Sequence, residues 1–316
     1  MRTAWVIGSG GLLGSALRTC LAGQGDALYA HGVSLCWSDR AILAAQLEAA
    51  VTVFAAGIEP SDRWEIYWAA GVGTMASPAE ALVPETEALE ILLRLLGANS
   101  RLACAPGAIG FASSAGAIYA GATDDIITED TPVAPTTPYA RAKLQQEALV
   151  RAFVDVHANV SALLGRISTL YGAGQGQGKK QGLLTHIARS LVRNKPIQIF
   201  VPFDTIRDYI HAADAAARLV FGLRGLSPAK RQVVKIIASE NPTTIAEIIA
   251  TFKRVARRAP LVVTSSSRQT ALYTRRIQFR SIESTQAPDL PDTSLVIGVA
   301  QLLKAELAHF VRASYI

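Results

Sequence analysis

A short apolar run, Ala4-Trp5-Val6-Ile7, breaks abruptly into Gly8-Ser9-Gly10-Gly11-Leu12-Leu13-Gly14, and that break constrains the fold more than any other feature. The run has the length of a strand. Beyond the glycines, Leu12, Leu13, Ala16, Leu17, Cys20 and Leu21 recur at helical spacing. Strand, glycine turn and helix, in that order, bring backbone N–H groups up to a pyrophosphate at a helix N-terminus. Gly8 suits the tight turn, Gly11 the close approach of a phosphate, and Gly14 the packing of helix on sheet. A secretory signal would also place a basic residue, here Arg2, before apolar ones. Four glycines interrupt this stretch and no clear cleavage site follows, so it is not read as one.

A second feature supplies chemistry. Tyr139 and Lys143 stand four residues apart in PYARAKLQQEALV, one helical turn, so phenol and ammonium share a helix face. An ammonium held near a phenol stabilises the phenolate and is expected to lower a pKa normally about 10 toward that of a useful general base. Each feature alone arises by chance in many proteins. Together, and in this order, they point to nicotinamide-dependent hydride chemistry on an alcohol or ketone.

Composition narrows the class. A chain of 316 residues with half its residues apolar can bury a large sheet and add a smaller lobe. No apolar run reaches transmembrane length, so no membrane partner is expected. The three cysteines, Cys20, Cys36 and Cys104, show no metal-ligand spacing and suit a reducing cytoplasm, and no metal site is expected. The net charge of +6 favours an anionic substrate, yet Lys and Arg are scattered without interleaved aromatics, which argues against nucleic acid.

Periodicity predicts strands at 4–7, 27–31, 51–54 or 64–69, 108–113, 160–167 and 233–237. Helices are predicted at 11–23, 40–50, 79–96, 139–157, 182–193, 212–224, 243–256 and 295–312. Such alternation implies an α/β fold with a doubly wound parallel sheet of Rossmann type. Residues 1–171 form the expected dinucleotide-binding part, with about 206–238 returning to it. Segments 172–205 and 239–316 are expected to form most of a smaller C-terminal substrate lobe. The glycine-rich stretch 172–181 reads as a flexible entrance to that lobe.

The ordered motifs Gly8-x-x-Gly11-x-x-Gly14, Trp68-Ala69-Ala70-Gly71, Phe111-Ala-Ser-Ser114 leading to Tyr119, and Tyr139-x-x-x-Lys143 are joined by two more. These are Gly165-Arg166-Ile-Ser-Thr-Leu-Tyr171-Gly172 and Arg207-Asp208-Tyr209-Ile210-His211-x-x-Asp214. On these segments the chain resembles an extended short-chain dehydrogenase/reductase of the NAD-dependent epimerase/dehydratase family. The resemblance runs from residue 5 to 214, about two thirds of the chain.

The resemblance implies roles residue by residue. Tyr139 is the acid/base, Lys143 lowers its pKa and bonds the nicotinamide ribose, and Ser114 holds the reacting oxygen. The family hydroxyl usually stands where this chain has Ala115, so Ser113 stays open as the alternative partner. Cofactor contacts are implied for Gly8, Ser9, Gly10, Gly11, Leu12, Leu13, Gly14, Ala69, Ala70, Gly71, Ser113, Tyr139, Lys143, Ile167 and Ser168. Thr169 and Arg207, with Ser114, fall at substrate positions, Arg207 where relatives clamp a diphosphate. His211 and Asp214 read as packing and capping residues, and Asp124, Asp125, Glu129 and Asp130 as solvated. Arg275, Arg276 and Arg280 are candidates for a second phosphate contact.

Two departures stand out. The carboxylate that holds the adenosine ribose in NAD users is missing near His31-Gly32, with Asp39 only a distant candidate. Residues 39–64 leave little room for a third strand, so the adenine pocket is expected to be truncated or rebuilt. NAD and NADP both stay open as the cofactor. Gly116-Ala117 occupy the positions of the dehydratases' Asp-Glu pair, which argues against elimination of water. The favoured reading is a nucleotide-sugar epimerase working through a transient ketone, as a homodimer. The alternatives are a reductase or dehydrogenase of a sugar or other carbonyl and, behind both, a non-catalytic dinucleotide-binding protein.

Overall fold

Residues 1–174, 182–264, 276–284 and 292–314 are described by a computed structural model. Strand β1 (Arg2–Ile7) leads through the glycine turn into α1 (Leu12–Gly23) and β2 (Ala27–Tyr29). Loop 30–39 reaches α2 (Arg40–Ala56), which precedes β3 (Arg63–Trp68). A 3-10 turn at Ala79–Leu82 opens α3 (Val83–Ala98), followed by α4 (Ser100–Cys104), β4 (Gly107–Ser114) and α5 (Ala115–Ile118). Then come α6 (Pro138–Val156), β5 (Val160–Ile167) and β6 (Thr169–Tyr171). The later elements are α7 (Leu183–Arg193), β7 (Ile197–Ile199), β8 (Ile206–His211), α8 (Ala212–Arg224) and β9 (Gln232–Ile237). The chain continues through β10 (Pro242–Thr244), α9 (Ile245–Ala256), β11 (Val262–Thr264) and α10 (Leu295–Ser314).

Six parallel strands in the order β2-β1-β3-β4-β5-β9 form the large sheet. Its strands are apolar on both faces because helices cover both. Leu43, Leu47 and Phe54 of α2, Leu89 and Leu92 of α3, and Val150 and Val154 of α6 fill one face. Leu17 and Leu21 of α1 with Leu219 and Leu223 of α8 fill the other. A smaller lobe carries the sheet β10-β8-β6 and the pair β11-β7, packed on α7, α9 and α10 through Ile187, Leu191, Ile248, Phe252 and Leu302.

The alternative strand at 51–54 is overturned. Leu43, Leu47, Val51 and Phe54 continue one helical stripe, all buried, so α2 runs on to Ala56. As the shortness of 39–64 implied, β2 is the edge of the large sheet among the described residues, with no third strand beside it. Segment 206–238 divides: β8 joins the small sheet, while α8 and β9 return to the large one. Strands β6, β7, β8, β10 and β11 are not among the predicted strands: four of them have three residues, too few to show an alternation, and β8 breaks its apolar pattern with the adjacent charges Arg207 and Asp208. Of the stretch 172–181 read as flexible, residues 175–181 lie outside the described residues.

Buried charge on the large sheet is paired. Glu65, fully buried on β3, accepts from Arg224 at the end of α8 and from the Tyr67 hydroxyl, and Arg224 also holds Asp26. That satisfaction is what lets a carboxylate sit inside a sheet.

Candidate functional site

The glycine turn is built as its spacing demands. Gly8 adopts φ +86, and a Cβ there would lie 2.5 Å from the Ala70 backbone nitrogen. A Cβ on Gly14 would lie 2.1 Å from the Gly8 carbonyl oxygen, so α1 packs directly on the turn. Gly10, in contrast, has open space where its Cβ would be, and Gly11 meets nothing but the Gly8 oxygen, at 3.3 Å. No side chain caps α1 and its first turn carries no acid. The first N–H groups of that helix therefore face an open cradle with a positive dipole end, which fits a pyrophosphate. Ala69 hangs from this edge by its N–H to the Ile7 carbonyl, 2.9 Å, which sets Ala70 and Gly71 beside the turn. Ser9 and Leu12 are half-buried and Leu13 is buried.

Thr137 starts α6 by accepting from the Ala140 N–H, and Pro138 takes the first helical position, where its missing N–H costs nothing. Tyr139 and Lys143 follow on one face of this helix. The Lys143 Nζ, buried, lies 5.9 Å from the Tyr139 ring centroid and 5.3 Å from that of Phe111, and donates to Gln146 Oε1 at 3.0 Å. Gln146 in turn donates to Thr86 Oγ1.

The two serines at the end of β4 diverge, as alternate strand residues must. Ser113 is buried and donates to Glu147 Oε1 at 2.6 Å. The Ser114 hydroxyl occupies the cap position of α5 without capping it and lies near enough to the Tyr139 phenol to favour its phenolate. Of the two hydroxyls, Ser114's is the one that the structure brings to Tyr139.

The expected low phenol pKa is not what this arrangement produces. Burial pushes Tyr139 up to about 12, the Glu85 carboxylate adds to the rise, and the Ser114 hydroxyl opposes it. Burial also pulls Lys143 below its ordinary value, against the pull of Glu85 and Glu147. Desolvation outweighs the neighbouring ammonium, which is turned toward Gln146.

Two acidic residues that sequence reading passed over are central to the geometry. Glu85, buried in the first turn of α3, accepts from the N–H groups of Val72 at 2.5 Å and Gly73 at 2.6 Å. It thereby holds the loop after β3 against the Tyr139 end. Glu147 lies one turn beyond Lys143 and takes a two-pronged bond from Arg166, at 3.0 and 2.8 Å. Arg166 also donates to the Tyr119 hydroxyl at 2.5 Å. This cluster ties α6, β4, β5 and the end of α5 together, with Glu147 one helical turn from Lys143 and its partner Ser113 next to Ser114 in the chain. Its signal was present in the sequence: Glu147 extends the Tyr139–Lys143 face by one more turn, and Arg166 is the sole charge in the apolar run 160–167.

The remaining candidates are placed as follows. Ile167 is buried and pairs with Ser114 across β4 and β5. The Ser168 hydroxyl is committed to Asp208 at 2.5 Å, while Thr169 is exposed. Arg207 is half-buried on β8, two residues before the partner of Thr169, and donates to the Ile206 carbonyl. His211 caps α8 and packs edge-on against Tyr171, and Asp214 accepts from Thr293. Glu129 is not solvated: it accepts from Ile236, Ser281 and Ile282 and pins the segment that follows Phe279. Arg276 and Arg280 are exposed, and Arg275 lies outside the described residues. Among the described residues there is no cluster of His, Cys, Asp and Glu able to hold a metal and no helix long and apolar enough to cross a membrane.

Residues 4–236 match the NAD dependent epimerase/dehydratase family, and the chain belongs to it. Among curated relatives, dTDP-4-dehydro-6-deoxyglucose reductase of Escherichia coli is 34% identical over 104 residues, 33% of this chain and 32% of the relative. UDP-glucose 4-epimerase of Azospirillum brasilense is 28% identical over 159 residues, 46% and 45% of the two chains. The chain thus spans less than half the length of these relatives. Among solved structures, UDP-glucose 4-epimerase of Thermotoga maritima with UDP-glucose superposes over 100% of both chains, with TM-score 0.78 at 16% identity. RMD from Pseudomonas aeruginosa complexed with NADPH covers 98% of this chain and 100% of its own, with TM-score 0.76 at 18% identity. These likenesses establish the fold.

Proposed function

We propose that the chain is an NAD(P)-dependent epimerase of a nucleotide sugar. The observation that carries this reading is the meeting of Ser114, Tyr139 and Lys143 at the carboxyl edge of the large sheet, the edge that also bears the open glycine turn. Residues 8–14 and 69–71 would hold the pyrophosphate and its flanks, and Lys143, Ile167 and Ser168 the nicotinamide end. When bound, the nicotinamide supplies an acceptor and donor of hydride. Tyr139, in its phenolate form, takes the proton of the sugar hydroxyl as the ketone forms and returns it afterwards, while Ser114 holds the reacting oxygen. The absence of an Asp-Glu pair at Gly116-Ala117 removes the extra acid and base that loss of water needs. Residues 172–205 and 239–316 serve as most of the substrate lobe, with Thr169 and Arg207 at its border, Arg207 toward the diphosphate.

The match to a reductase over 104 residues favours a second reading, reduction of a keto sugar with exchangeable cofactor. A panel of nucleotide sugars, followed for stereochemical inversion and for net nicotinamide oxidation, separates the two. Inversion without net redox change supports the epimerase. Stoichiometric NAD(P)H consumption supports the reductase, and a bound cofactor with no turnover on any substrate leaves a binding protein.

The reading extends to a cytoplasmic homodimer. Ala148 and Ala152 are exposed on α6, and a shallow groove of about 310 Å³ between α3 and α6 is lined by Leu93, Leu149 and Phe153 together with Glu90, Arg94 and His157. A second α3–α6 pair would cover that face. Light scattering that reports a monomer at micromolar concentration would count against it.

A further inference from the structure

Loop 30–39 follows β2, where the large sheet ends. Strands β1 and β2 are in parallel register with Trp5 opposite Tyr29. Two residues beyond Tyr29, His31 begins the loop, as Ile7, two residues beyond Trp5, ends β1 immediately before the glycine turn. A dinucleotide lying on the turn would bring its adenosine ribose to this position. The carboxylate that normally grips the two ribose hydroxyls is absent: 30–38 contains no acid, and the Asp39 side chain is committed to the N–H groups of Ala41 and Ile42 at 2.9 and 3.0 Å. In its place, the Nε2 of His31 is buried and has no hydrogen-bond partner.

The same loop presents an aromatic surface. Trp37 is 41% exposed and meets Trp68 edge-on, with ring centroids 6.3 Å apart at 82°. Trp68 is the last residue of β3, next to Ala69 and Ala70 at the turn. The loop backbone is fixed rather than free: Cys36 N–H donates to Gln46 Oε1 at 2.7 Å, and Gln46 Nε2 reaches the Ser34 carbonyl at 3.3 Å. An indole held in this way and left half in solvent is a stacking platform, since any base offers it a π-face.

We propose that His31 and Trp37 hold the adenosine end of the cofactor, Trp37 against the adenine and His31 at the ribose 2′ position, so that the site accepts a 2′-phosphate. This rests on the cofactor reading above. An imidazole N–H donates to a phosphate as readily as to a hydroxyl, whereas a carboxylate at this place would repel the phosphate.

The test is calorimetric titration of the full chain with NAD, NADP and ADP-ribose, alongside tryptophan emission. NADP should bind at least as tightly as NAD. His31→Asp should weaken NADP by about tenfold or more while NAD holds or improves, on the scale of hydrogen bonds to charged groups. His31→Ala should weaken NADP and spare NAD. Trp37→Ala should weaken all three ligands by about five- to a hundredfold, the range of base–aromatic stacking, and Trp37→Phe should retain most of the affinity. Since Trp5, Trp64 and Trp68 are no more than 2% exposed, quenching on binding should belong to Trp37 and vanish in Trp37→Phe. NAD bound more than about tenfold tighter than NADP, with no effect of His31→Asp, overturns the His31 assignment. Unchanged affinity in Trp37→Ala with persistent quenching in Trp37→Phe overturns the Trp37 assignment. If wild type binds no dinucleotide at all, the cofactor reading itself is wrong and this inference falls with it.

Discussion

At the Tyr139 end of the cleft, each reactive side chain stands on a regular element and has a buried partner behind it. Lys143 leans on Gln146, Ser114 follows a residue locked to Glu147, and Glu147 is locked to Arg166. At the adenosine end, His31 and Trp37 ride on a loop that replaces a strand and is tied down by one glutamine. The difference is one of what fixes position. Helix α6 and strands β4 and β5 convert sequence spacing directly into geometry, so reactive groups are held in fixed relation to one another. A loop recognising a flat base and one ribose needs less, and tolerates rebuilding.

The largest effect should come from the smallest change at the rigid end. Tyr139→Phe deletes one oxygen from a ring that stays packed, so folding and cofactor binding should survive. Turnover of the substrate found in the panel should fall by about a hundred- to ten-thousandfold, the worth of general acid–base catalysis, and kcat should carry the loss. Wild-type turnover in this variant would mean that the Tyr139 end is inherited but idle.

Next in size is the buried brace. Glu147→Ala leaves the Arg166 guanidinium 6% exposed without its carboxylate. Breaking such a pair costs about 3–5 kcal/mol, and urea unfolding should report it. Because the cluster spans α6, β4 and β5, kcat should fall as well, although Glu147 touches no substrate. The exposed Arg40–Glu87 pair is the control: Glu87→Ala should cost under about 1 kcal/mol.

These residues also show what a sequence exposes and what it hides. The Gly8–Gly14 turn, the Tyr139–Lys143 pair and most large-sheet strands were legible because short-range spacing becomes geometry within one element. The Glu147–Arg166 pair and the Gln46 tether join elements distant in sequence: helical spacing puts Glu147 on the Tyr139–Lys143 face, but no local period says which distant residue either side chain meets. The phenol pKa was misjudged for a related reason. Helical spacing brings the ammonium near, but burial and the long-range approach of Glu85 decide the sign. The missing third strand was visible as a shortage of residues, yet what fills its place was not.

Glu85 offers a finer test of the rigid end. Its negative charge disfavours the phenolate, so removing that charge should lower the Tyr139 pKa from about 12. Glu85→Gln keeps an oxygen for the Val72 and Gly73 N–H groups. The rise in kcat with pH, as the phenolate forms, should therefore begin at lower pH than in wild type. An unmoved or upward-shifted profile would deny that Glu85 acts on the phenol through charge.

The smallest effect probes the flexible end. Asp39 was the one distant acidic candidate for holding the adenosine ribose. Its carboxylate is instead spent on the first N–H groups of α2, at 2.9 and 3.0 Å. Loss of such a cap costs about 1 kcal/mol, so Asp39→Ala should lower stability by that much in urea. Helix α2 also carries Gln46, but that residue lies almost two turns further in, where the helix is held by Leu43, Leu47 and Ala50 against the sheet. Fraying at the cap should therefore not release the loop, and NAD and NADP should bind Asp39→Ala as they bind wild type. A selective loss of NAD affinity would place the Asp39 carboxylate on the ribose after all and would make this end of the cleft conventional.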